Sequence, residues 1–213
     1  LQPKAKGNKE QIQLLFLSRF FYHKGGLEAL LTFEAITKKF DNVHCTLISN
    51  VPKALREKYS QKGIRILDLM PRERLISEIW PKTDIFVYPT WGDTFGFPLL
   101  EAMSFGIPTI ALVDFATPEI VTNNKTGLLI EGYKKKWYTN KFYYNKDNWW
   151  HKTSQERASV IKELVEKTSR LIENTSLRKR FGKNARREVA TGRFSIRKRN
   201  KRLREIYEES LRA

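Results

Sequence analysis

Asp93 and Glu101 stand eight positions apart, with Thr94-Phe95-Gly96-Phe97 and Pro98 between them. Pro98 is suited to an early helical position, so the amides of Phe95, Gly96 and Phe97 precede the positive end of a helix. Gly96 permits close approach of a ligand to the backbone. A carboxylate such as Glu101 is a bidentate acceptor for a vicinal diol, for example that of a ribose. The plainer reading stays open: Asp93 as a turn residue or helix cap, Glu101 as a favourable first-turn acid.

A second group of polar residues lies in Ser18-Arg19-Phe20-Phe21-Tyr22-His23-Lys24-Gly25-Gly26. It follows an apolar run and precedes a helical pattern. Arg19 offers a planar fork of donors, Lys24 a mobile point charge, and a helix opening at Gly25-Gly26 offers unpaired N–H groups. Together they suit an anion, and a diphosphate in particular. His23, His44 and His151 have neither metal-ligand nor catalytic-triad spacing. No Asp-x-Asp pair stands at a strand end to hold Mg²⁺, so no metal site is predicted.

The elements that must position these residues are legible in the apolar pattern. Strands are predicted at Gln11 to Arg19, Val43 to Ser49, Ile64 to Leu69, Ile85 to Tyr88, Pro108 to Val113 and Gly127 to Ile130. Helices are predicted from Gly25 to Phe40, Pro52 to Gln61, Arg72 to Trp80, from Pro98, and from Glu119 to Asn123. Strands alternating with helices, each strand apolar throughout, imply a doubly wound, Rossmann-like α/β domain with a parallel sheet. Ligands of such sheets bind beyond the carboxyl ends of the strands, where both polar groups fall. Long helical patterns follow at Ser154 to Asn174, Ser176 to Thr191 and Ser195 to Leu211. The expected organisation is a linker at 1–10, a nucleotide-binding domain at 11–174 and basic C-terminal helices at 175–213.

The net charge of +17 is concentrated: from Arg178 to Arg204 thirteen Lys or Arg face one acid, Glu188. Such a field favours polyanions, whether phosphorylated substrates, anionic lipids or nucleic acid. Residues 131–152 interleave lysines with aromatics, including Trp137, Trp149 and Trp150. They read as a packed loop, or as a surface that stacks bases or meets a bilayer interface. No motif of a nucleic-acid-binding module appears, which disfavours that partner. No apolar run approaches the twenty or so residues that span a bilayer, and no signal-peptide pattern opens the sequence. With the lone Cys45 in an apolar run, this suggests a reducing, cytoplasmic setting, compatible with peripheral contact at the inner membrane face.

In their order and spacing these landmarks resemble retaining glycosyltransferases of family 4, the glycosyl transferases group 1, which adopt the GT-B fold. Asp93-x7-Glu101 with Phe95-Gly96, Leu100-Glu101-Ala102-Met103 and Gly106-Ile107-Pro108 is similar to their paired-acid signature. Ser18-Arg19 with Lys24-Gly25-Gly26 resembles their arginine-lysine pair for the diphosphate. Pro118-Glu119-Ile120-Val121 and Gly127-Leu128-Leu129-Ile130 resemble the end of their nucleotide-binding domain. The resemblance implies the C-terminal, donor-binding half of a GT-B enzyme that uses a nucleoside diphosphate sugar without a metal cofactor. Arg19 and Lys24 would stabilise the leaving diphosphate, and Asp93, Thr94, Phe95, Gly96 and Phe97 would position the sugar. Glu101 would hold the ribose, and Met70, in the turn Leu69-Met70-Pro71, the base. The acceptor (glycan, lipid or small molecule) would be bound by an N-terminal domain that this sequence does not contain, without which the fragment is expected to be inactive. Two departures stand out: Asp93 where the family usually has glutamate, and Asp114-Phe115-Ala116-Thr117 where it usually has a Gly-Gly pair. Both leave the donor sugar open.

Overall fold

The structure, a computed structural model, describes residues 11–60, 63–131 and 154–212. Six strands form one parallel sheet: β1 (Ile12–Leu17), β2 (Val43–Ile48), β3 (Ile64–Leu67), β4 (Ile85–Tyr88), β5 (Thr109–Leu112) and β6 (Gly127–Ile130). Their spatial order is β3-β2-β1-β4-β5-β6. β1 pairs with β2 from Ile12↔Val43 to Leu17↔Ile48, and on its other side with β4 at Leu14↔Ile85. The chain winds outward from β1 to β3, then returns to lay β4 beside β1. The order reverses there, and the loops leaving β1 and β4 lie side by side at the sheet's carboxyl edge, the place where ligands of such sheets bind.

Strand residues alternate between two cores. Leu14 and Phe16 of β1 join Ile85 and Val87 of β4 on the face covered by α1 (Gly26–Lys39) and α6 (Ser154–Glu173). Leu15 and Leu17 join Phe86 and Tyr88 on the other face, under α4 (Phe97–Ser104). Both faces are buried, which is why the strands read as unbroken apolar runs. α6 presents Val160, Leu164, Leu171 and Ile172 to the first core at helical spacing. It is also tied to α1 by Arg157, whose Nε lies 2.8 Å from Oε1 of the buried Glu28.

α2 (Lys53–Ser60) packs beside β3. The stretch predicted as one regular helix from Arg72 to Trp80 is helical but irregular. α3 (Arg72–Arg74) widens to a π turn over Leu75–Ile79 and tightens to a 3₁₀ turn over Trp80–Lys82. Pro81 lacks an N–H and its ring crowds the preceding turn, so the regular i→i−4 ladder cannot continue through it. α5 (Thr117–Ile120) begins two residues earlier than predicted, because Pro118 fits its first turn.

α7 (Thr175–Ala190) packs on α4 and α6. Its buried Arg178 donates from Nη1 to the carbonyls of Leu171 and Ile172 at 2.7 and 3.2 Å, which satisfies the end of α6 with a cation at the negative pole of its dipole. α8 (Ile196–Ser210) is different: none of its residues is buried. No helix among the described residues is long and apolar enough to cross a membrane. The lysine-aromatic segment at 131–152 lies, apart from Glu131, outside the described residues, as does the terminal segment 1–10.

Candidate functional site

The loops after β1 and β4 meet at the sheet's carboxyl edge. Three close turn hydrogen bonds fold the first of them, Lys24 N–H to Phe20 O, Gly25 N–H to Tyr22 O and Gly26 N–H to Phe21 O, at 3.0, 3.1 and 2.7 Å. Phe21 anchors it in the core while Phe20 and Tyr22 stay exposed. Gly25 has φ +74°, and a Cβ there would fall 1.9 Å from the carbonyl oxygen of Pro89. Only glycine allows the two loops to approach this closely. The Trp91 N–H also donates to His23 O at 3.3 Å.

An ion pair completes the join. Lys24 Nζ donates to the Gly92 carbonyl at 2.5 Å and lies 3.2 Å from Asp93 Oδ2. The Tyr88 hydroxyl, at the end of β4, donates to the same carboxylate oxygen. Burial pushes the Asp93 carboxyl upward, but the Tyr88 hydroxyl, the Lys24 charge and the Phe95 N–H outweigh it and hold the group below its ordinary value. Burial and then Asp93 push the Tyr88 hydroxyl up. His23 beside them is pushed down, by burial first and Lys24 second.

Lys24 and Asp93 were expected to serve different ligands, a diphosphate and a sugar. The structure pairs them across the junction of the β1 and β4 loops. A neutralised pair attracts an anion less than a free lysine. The exposed Arg19, which makes no ion pair among the described residues, is therefore the more available cation.

Two helices begin at this edge without side-chain caps. α1 starts behind Gly25 and α4 behind Gly96, whose φ is +88°, both in the left-handed conformation. Asp93 is thus a loop-joining residue rather than the α4 cap. Neither glycine places a cap side chain over its helix start, but the Gly26 and Leu99 N–H groups already donate to Phe21 O and Gly96 O at 2.7 and 2.9 Å, which leaves the Leu27 and Phe97 amides to suit an anion. Phe95 and Phe97 flank the α4 start, their rings 5.1 Å apart and both exposed, and Thr94 is exposed beside them. After β5, Phe115 is exposed with φ +40°, a strained conformation for a residue with a Cβ.

Glu101 corrects one expectation. α4 starts at Phe97, so Glu101 lies in the second turn and not the first. Its Oε1 accepts from Arg72 Nε at 2.9 Å. Arg72 is the first residue of α3, next to the turn predicted to meet a base, where Met70 is half-buried against the second core. Neither Arg72 nor Tyr88 was singled out from the sequence: one reads as a solvated helix start, the other as the end of a buried strand. A strand-terminal tyrosine five residues before a loop acid was the only available signal.

The Asp93 site yields a pH test. Its folded-state pKa lies below its ordinary value of 3.8, so its stabilisation is present above that value and is lost as the pH falls through the folded pKa. Urea unfolding of the native chain and Asp93→Asn will show a stability gap at neutral pH that closes in acid below pH 3.8. A gap absent at neutral pH, or constant throughout, contradicts the pairing.

Comparison with known proteins gives the family and the fold. Residues 1–153 match the family model described as glycosyl transferases group 1. A D-inositol 3-phosphate glycosyltransferase of Corynebacterium efficiens is 35% identical over 72 residues, which cover 34% of this chain and 17% of that protein. The phosphatidylinositol N-acetylglucosaminyltransferase gpi3 subunit of Schizosaccharomyces pombe is 23% identical over 128 residues, 57% of this chain and 28% of that one. The matched stretches thus span less than a third of either relative. Among solved structures, the C-terminal domain of the group 1 glycosyl transferase LpcC from Francisella tularensis superposes with a TM-score of 0.65 at 22% identity, covering 85% of this chain and 86% of that one. The pneumococcal O-GlcNAc transferase GtfA, in complex with UDP and GlcNAc, gives 0.72 at 15% identity over 96% of this chain and 37% of its own. At these identities the structural likeness establishes the Rossmann-like fold, while the family follows from the model match over most of the sequence: this chain belongs to the glycosyl transferases group 1.

Proposed function

We propose that this chain is the donor-binding half of a retaining glycosyltransferase of family 4, moving a sugar from a nucleoside diphosphate donor to an acceptor. The observation that carries the reading is the convergence, at the carboxyl edge of the sheet where its order reverses, of two glycine-capped helix starts and Arg19. The chemical demand in such a transfer is stabilisation of negative charge on the departing diphosphate. Arg19 supplies a fixed fork, the α1 amides a partial positive charge, and Lys24 a further cation when the diphosphate competes with Asp93 for it. This group acts electrostatically and requires no metal ion. Glu101 accepts from the ribose, Met70 borders the base, and Thr94 with the Phe95–Phe97 amides borders the sugar. Asp93 acts here by holding Lys24 and the Phe95 loop in place. The pneumococcal neighbour's complex with UDP and GlcNAc supports a donor of this class. Both relatives are named for inositol-containing acceptors, which adds phosphorylated polyols to the acceptor candidates among glycans, lipids and small molecules.

Arg19→Ala will weaken binding of the best of UDP, GDP and ADP by about 1.5–3 kcal/mol, the value of a charge-assisted hydrogen bond, with unchanged folding stability. Lys24→Ala will lower both affinity and stability, since it leaves the Asp93 carboxylate unpaired. Calorimetry in EDTA and then in Mg²⁺ checks this. Indifference of binding to both substitutions, or strict dependence on the metal, contradicts the reading.

A compatible second reading, contact with an anionic membrane surface, is favoured by α8. Ile196, Leu203, Ile206 and Tyr207 form one exposed stripe along it. At helical spacing Arg199 falls within the stripe, between Leu203 and Ile206, Arg202 borders it on one side and Arg204 and Arg197 on the other, and Glu205 lies opposite with Glu208 and Lys201 beside it. Vesicles of phosphatidylcholine and phosphatidylglycerol will retain the native chain at salt high enough to screen surface charge, and Leu203→Ser/Ile206→Ser will release it. Equal salt sensitivity of both chains refutes apolar insertion.

A further inference from the structure

The pairing of Arg72 with Glu101 has no part in the functions assigned above. Arg72 Nε donates to Glu101 Oε1 at 2.9 Å, and the Glu101 side chain is 22% exposed against 67% for Arg72. Glu101 Oε2 accepts no hydrogen bond among the described residues. Arg72 opens α3 directly after Pro71, and Glu101 stands on α4. The pair thus bridges the turn after β3, at one edge of the sheet, to the helix after β4.

The chemistry of the pair is directional. A glutamate side chain has three rotatable bonds, and a half-exposed one samples several orientations at an entropic cost to any ligand that needs one of them. The guanidinium is a rigid planar donor. By engaging Oε1 it fixes the plane of the carboxylate and leaves Oε2 to accept from a hydroxyl. Pro71, with φ −55°, fixes the start of α3 and so limits where Arg72 can go.

We propose that Arg72 is a positioning residue: it orients the Glu101 carboxylate toward a ribose hydroxyl of the bound nucleotide and acts on the ribose only through Glu101. This rests on the reading of Glu101 as the ribose acceptor. Selectivity for ribonucleotides over their deoxy forms is then set by an ion pair between two helices, not by one acid. An arginine 29 positions from its partner is needed for it.

The test measures affinity of the full 213-residue chain for the tightest binder among UDP, GDP and ADP, and for the 2′,3′-dideoxy form of the same nucleotide. The two ligands carry equal charge, so their affinity ratio is insensitive to general electrostatics and to folding stability. The native chain will prefer the ribonucleotide by about 10- to 100-fold, the equivalent of one hydrogen bond to a charged group. Glu101→Gln will remove the preference. Arg72→Gln will reduce it severalfold, Arg72→Lys will restore part of it, and adding Arg72→Gln to Glu101→Gln will change it no further. If the native chain shows no preference, or Glu101→Gln keeps it, the ribose assignment itself falls. If the preference needs Glu101 but survives Arg72→Gln intact, the ribose assignment stands and the role of Arg72 is refuted. A further loss in the double variant means that Arg72 touches the nucleotide directly, which also overturns the proposal.

Discussion

The ion pair between Lys24 and Asp93 is the constraint on which the site depends. It spans the boundary between β1 and β4, where the winding of the sheet reverses and a backbone hydrogen bond from Trp91 to His23 also links the two departing loops. The Gly92 carbonyl and the Tyr88 hydroxyl add to the same junction. The Lys24 and Asp93 side chains are 14% and 18% exposed, so water screens this pair far less than a surface pair, and losing either partner strands a half-buried charge. Gly25 makes the junction possible, because any Cβ would meet Pro89. Once the loops are joined, the starts of α1 and α4 have fixed positions on opposite faces of the sheet.

That arrangement leaves the site without a cluster of free lysines. The pair at this edge is internally neutral, so the residual positive character comes from backbone amides and from Arg19. Helix ends lose nothing to side-chain flexibility, and their partial charges already point outward. The much larger charge of α7 and α8 lies elsewhere on the fold and bears on long-range attraction of anions more than on recognition.

Most of the architecture was legible in the sequence, for a physical reason. The central strands β1, β4 and β5 are buried on both faces apart from Gln13, so hydrophobic runs of strand length recur between helical patterns. Strand limits were recovered within about two residues, the usual uncertainty of element ends. The polar loops were legible because Arg19, Lys24, Asp93 and Glu101 interrupt an apolar background at strand and helix ends. What was not legible is how those residues pair. Asp93 differs from the usual glutamate by one methylene, and only the three-dimensional path of the β1 loop shows that Lys24 waits at that distance. Arg72 and Glu101 meet because α3 and α4 share a core through Leu75, Ile79, Leu99 and Met103, a contact with no local signature. The irregular α3 traces to Pro81, which ends the regular ladder and lies just beyond the predicted segment.

The central claim is that the two glycine-capped helix starts beside the Lys24–Asp93 junction receive a nucleoside diphosphate. Backbone amide chemical shifts recorded while UDP, GDP or ADP is titrated into the chain test it most directly. The account predicts that the largest changes fall on Leu27 and Phe97, at the α1 and α4 starts, and on the neighbouring Arg19 loop. Changes confined to the basic surface of α7 and α8, or none with any of the three nucleotides, would contradict it.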